Sequence, residues 1–204
     1  MNLIGAFIRD VRRALRMNAH EIAEDGSMYI ASARAFIGGA FSHQYTTPEG
    51  IVLPWTFDKP NRVVNEGLNK VLNLIPGHAT SAALYIAPFS GDVAPPATWT
   101  GATWVAAATE FTAYTESTRR PWTTVASTAQ NLTNAAALAA STITFAAGGP
   151  YTVRGAALAE ASAKSAGTGI LFAASRFDAD LTGMAAGGKL ALEYALAAID
   201  ESDA

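Results

Sequence analysis

From residue 82 onward the chain is a succession of short apolar runs, each closed by Gly, Pro, Ser or Asn. The last run is the clearest. Leu190, Leu192, Tyr194 and Leu196 alternate with Ala191, Glu193, Ala195 and Ala197, and period-two alternation with one polar face marks a half-exposed antiparallel strand. Residues 82–89, 104–115, 122–127, 141–146, 151–161 and 169–177 are further strand candidates, and 189–199 is the last. Six or seven such strands separated by turn residues predict a mainly β fold, an antiparallel β-sandwich of Ig-like or jelly-roll-like kind. The competing signal is Ala. Its helix propensity makes 134–140 and 190–198 the stretches most open to a helical alternative, and Thr, Gly and aromatic punctuation favours strands.

The first 60 residues read differently. Leu3, Ile4, Phe7, Ile8, Val11, Ala14 and Leu15 recur at three- and four-residue spacing, with Arg9, Arg12, Arg13 and Arg16 largely elsewhere. That is a short amphipathic helix with a basic face. It could pack on its own domain, dock in a partner's groove or lie on an anionic membrane surface. Leu3, Ile4, Phe7, Ile8, Val11, Leu15, Arg12 and Arg16 form the candidate partner interface. The four arginines and Asp10 fall where a signal peptide would need its apolar core. Residues 24–55 alternate only loosely and are broken by Gly38-Gly39, Thr46-Thr47-Pro48 and Glu49-Gly50. They read as an extended arm with one or two short strands, or as strands that complete the main sheet.

A second helix follows. Asn61 is placed to cap it, Val63, Val64, Leu68, Val71, Leu72 and Ile75 form the expected buried stripe, and Pro76-Gly77 stops it. Gly67 in its interior costs about 1 kcal/mol relative to Ala unless a neighbour packs close there. The expected organisation is an N-terminal helix and extended arm over 1–60, then a sandwich domain over 61–204 opened by this helix.

Composition narrows the function classes. Charged residues make up 15% of the 204, below the roughly 25% of average domains, which suits a protein packed against neighbours or merely one rich in Ala. The net charge of −3 gives no electrostatic case for nucleic acid. The absence of Cys removes disulfides, thiol nucleophiles and thiolate metal sites. No apolar run approaches the ~18 residues that a spanning helix needs, so no membrane segment is expected.

Catalytic signatures are absent as well. His20, His43 and His78 are scattered, each expected to be a surface or satisfied residue, and none is in a zinc-binding spacing. Glu110 and Glu116, six apart on one expected strand, lie too far along it to act as a carboxylate pair across a cleft. No nucleophile elbow, phosphate loop or dinucleotide fingerprint occurs. No catalytic residue, metal site or cofactor is therefore assigned. Arg119-Arg120-Pro121-Trp122 has two readings: a base stacked between Arg and Trp, or a core Trp beside arginines paired with Glu110 or Glu116. A sugar-binding module would use Trp99, Trp104 and Trp122.

Several of these blocks occur in an order that resembles a family of tailed-bacteriophage virion structural proteins. They are residues 61–69 (Asn-Arg-Val-Val-Asn-Glu-Gly-Leu-Asn), 83–89 (Ala-Leu-Tyr-Ile-Ala-Pro-Phe), 109–114 (Thr-Glu-Phe-Thr-Ala-Tyr) and 118–122 (Thr-Arg-Arg-Pro-Trp). Residues 153–158, 167–172, 173–177 and the final alternating run complete the order, over roughly Asn61 to Ile199. In that family the genes often lie beside that of the major capsid protein. The resemblance implies a non-enzymatic capsid decoration or cement subunit that contacts the major capsid protein or neighbouring virion proteins. A homo-oligomer, a trimer or ring, is expected, located in the virion and assembled in the host cytoplasm. Tail, head–tail adaptor and fibre-attachment roles also occur in the family. The segment before Asn61 departs from its pattern, with the basic amphipathic helix in place of a short leading strand.

Overall fold

The structure is a computed structural model and describes residues 35–59, 61–127 and 131–200. Residues Gly38–Ala197 form one compact unit. The other unit, Met1–Ile37 with Ala198–Ala204, enters the described residues only as the outer ends of the first and last strands. The N-terminal helix and all eight candidate interface residues lie outside the described residues.

The fold is mainly β, with two five-stranded sheets whose registered pairs are antiparallel. The strands are β1 (Ala35–Thr46), β2 (Thr56–Phe57), β3 (Arg62–Val63), β4 (Tyr85–Phe89), β5 (Arg120–Pro121), β6 (Asn131–Thr133), β7 (Thr142–Thr144), β8 (Tyr151–Ala159), β9 (Leu171–Met184) and β10 (Lys189–Asp200). One sheet has the order β2-β1-β10-β6, with β7 also on β10. The other has the order β3-β9-β8-β4-β5.

Side chains from both sheets meet in one apolar cluster. Phe41 and Tyr45 of β1 and Leu190, Leu192 and Tyr194 of β10 join Ile86, Val153, Leu158 and Phe177. The alternation in β10 did predict its inward face. β8 follows another rule. Its Gly155-Ala-Ala-Leu-Ala run is buried on both faces, Leu158 in the shared cluster and Ala157 and Ala159 in a second one with Trp99 and Trp104. A near-continuous apolar run is how a strand covered on both sides reads.

The segment joining the sheets explains how they are fastened. β2 pairs with β1, Ser42 opposite Phe57, and the Asp58 and Asn61 amides donate to Phe41 O (3.1 Å) and Gly39 O (2.8 Å). A few residues on, β3 pairs with β9, Val63 opposite Ala173. One stretch therefore edges both sheets and makes a seam. Of the two alternatives for the 24–55 region, the described part from Ala35 follows the second. β1 is an inner strand of its sheet, and its Phe41, His43 and Tyr45 are buried.

Helix α1 (Asn65–Leu74) occupies the expected place but turns another face inward. Val64, not Asn61, is its N-cap. Val64 and Gly67 are buried and Val71 half-buried, whereas Leu68, Leu72 and Ile75 are exposed. The cause is Gly67: a Cβ there would run into the Phe172 carbonyl oxygen of β9. The close packing expected at this glycine draws the 64/67/71 face onto the sheet and rotates the larger stripe outward by roughly a fifth of a turn.

Three strand expectations are corrected. Residues 104–108 form a short helix, α2 (Trp104–Ala108), ended by Thr109 in the left-handed region (φ 52°). Its three alanines favour the helix, and Trp104 inside it is fully buried. Residues 122–127 form no strand: the β4–β5 ladder ends at Pro121, with one further bond from Trp122 N–H to Leu84 O at 2.8 Å. The Ala-rich 134–140 stretch becomes a 3₁₀ segment, Ala135–Ser141.

Candidate interaction surface

Several buried polar side chains tie elements of the fold together. His43 Nδ1 lies 3.0 Å from Asp58 Oδ2, both side chains buried, and the imidazole stacks on Phe177 with ring centroids 4.4 Å apart. The other Asp58 oxygen accepts the Asp178 amide at 2.9 Å. Asp58 thus ties β1 to β9 across the seam, and His43 is a satisfied core residue, as expected. His78 is exposed, and His20 lies outside the described residues.

Glu110 and Glu116 do not share a strand. The Arg119 guanidinium grips Glu110 through two bonds, of 2.8 and 2.7 Å, and also donates to Ala161 O and Ala166 O. It lies 5.0 Å from the centre of the Trp104 ring. With both side chains buried, these bonds offset the cost of taking the two charges out of water. Glu116 accepts the Thr144 amide at 3.1 Å. Trp122 donates its indole N–H to Tyr194 O at 2.9 Å. The Arg-Arg-Pro-Trp block therefore follows its second reading, Arg119 paired with Glu110.

Beside it, Lys164 lies 3.5 Å from the Tyr114 ring centre and donates to Thr112 O and Tyr114 O. Desolvation lowers its pKa, opposed by Glu116 and Glu110. Burial, with Glu110 adding to it, raises that of the Tyr114 phenol. Burial does the same to Tyr194, against a hydrogen bond from Asn61. The indoles of a sugar platform are core residues too: Trp99 and Trp104 are buried and Trp122 half-buried. Among the described residues, no group of three or more His, Asp or Glu could hold a metal ion.

Several large apolar side chains of the unit are exposed to solvent. In the loop between β1 and β2, Ile51 is 60% exposed and Val52 58%, and Phe57 beyond it is 75% exposed. On α1, Leu72 is 54% exposed with Leu68 beside it, and Ile75, the residue that caps the helix C-terminus, is 80% exposed. Comparisons with protein-family models, curated proteins and solved structures find no match to this chain. The functional reading therefore rests on these surfaces and on the motif order.

Residues 51–57 were missed as a surface because the sequence region around them read only as an interrupted arm. The available signal was an uncharged Ile-Val-Leu-Pro-Trp run with Pro in it and no alternation, flanked by Glu49-Gly50 and Asp58-Lys59. Leu53 N–H donates to Tyr45 O and Thr47 N–H to Ile51 O, which leaves the backbone of Val52 on the outer edge. Pro54 blunts that edge against strand addition, so what remains to offer is side-chain surface.

Proposed function

We propose that this chain is a non-enzymatic structural subunit of a tailed-bacteriophage virion, preferably a capsid decoration or cement subunit. In this reading the two sheets are the layers of an antiparallel β-sandwich, Ig-like or jelly-roll-like, and the subunit works by contact area. The observation that carries the reading is the pair of exposed apolar surfaces, around Phe57 and around Ile75, on a unit whose buried ionisable side chains, His43, Asp58 and Arg119, are tied to partners within the fold. Exposed apolar patches of this kind mark interaction sites on soluble proteins.

The motif order supports the same reading. The blocks that resemble the phage family supply fold-determining contacts here: Glu66 accepts the Gly101 and Leu171 amides at 2.8 and 2.7 Å, Gly67 seats α1, and Glu110 holds Arg119. A family sharing these blocks would share this framework and vary what surrounds it. The major capsid protein or neighbouring virion proteins are the proposed partners.

Mapping the protein on intact particles by electron cryomicroscopy, with its copy number from quantitative mass spectrometry, tests the proposal. Hundreds of copies on the shell are expected. A dozen or fewer at one vertex would move the subunit to the tail or adaptor, and absence from the particle would overturn the reading.

A further inference from the structure

We draw no further inference here: the strongest candidate, the half-buried Arg120 guanidinium on the edge strand β5, has a buried Nε–H with no partner among the described residues, but it is a lone cation and nothing in the structure shows what would bind it.

Discussion

The two sheets are built from similar residues and reach different ends. In the sheet β3-β9-β8-β4-β5, both faces of the central strands are buried. The inner face meets Phe41 and Leu192, and the outer face carries a second layer with Val64, Trp99 and Trp104. In the sheet β2-β1-β10-β6, the face of β10 opposite Leu190, Leu192 and Tyr194 consists of Ala191, Glu193, Ala195 and Ala197, partly or fully exposed. The difference lies in side-chain size. Alanines at 157, 159 and 174 keep the outer face of the first sheet low enough for Trp99 and Trp104 to pack on it. The lesson is that Ala on a buried strand face makes room for another layer, whereas Ala on an exposed one merely avoids adding bulk.

The largest effect expected from breaking this contrast comes from its aromatic cover. Trp104→Ala should cost about 3–5 kcal/mol, while Phe57→Ala on the open side should stay within about 0.5 kcal/mol. Chemical denaturation of the two variants checks both figures. Glu110→Ala should cost a similar 3–5 kcal/mol, because it strands the Arg119 charge beneath that cover. Replacing it with Gln, which retains one acceptor, should recover part of the loss. A smaller pair sharpens the comparison directly. Ala157→Leu overpacks the covered face and should cost about 1–3 kcal/mol, whereas Ala195→Leu, on an exposed position, should cost within about 0.5 kcal/mol. Equal costs would mean that the two faces are not differently covered.

The smallest effects concern two buried phenols. The Tyr194 hydroxyl has a hydrogen bond with Asn61 (3.3 Å), whereas that of Tyr114 has no partner among the described residues. Tyr194→Phe should lose about 1 kcal/mol, and Tyr114→Phe should be neutral or slightly stabilising. Both phenols titrate above their ordinary value because burial disfavours the phenolate. The unfolded chain therefore ionises first. Their contribution is complete below about pH 10 and is lost as pH climbs past that value. Either Phe variant should flatten the alkaline limb of a stability–pH curve, and an unchanged limb would show that the phenol is solvated.

This contrast also marks what was legible in the sequence. β10 could be read because Leu190, Leu192 and Tyr194 alternate with small or polar residues, and β4 and β8 could be read as apolar runs between breakers. β2 and β3 are two residues long, too short for any periodicity, and they exist because the seam lies along β1 and β9. The strand expected at 104–115 failed because Trp104-Val105-Ala-Ala-Ala carries the same composition as a buried strand, and only the Thr109 turn separates it from the Phe89–Glu110 bridge. Helix α1 was foreseen with half of its stripe right: Val63, Val64 and Val71 pack inward, whereas Leu68, Leu72 and Ile75 are exposed. A pattern shows which residues are apolar, and Gly67 against Phe172 decides which of them face inward. The candidate surface was the least legible part, since exposure of Phe57 follows from long-range pairing with Ser42.

The central claim is that this protein acts through the apolar surface it leaves uncovered. The most direct test is the occupancy on purified virions of full-length protein carrying both Phe57→Glu and Ile75→Glu, measured against the wild type by quantitative mass spectrometry. The account predicts a folded variant, with unaltered melting temperature, that is largely lost from the particle. Normal occupancy by that variant would contradict it.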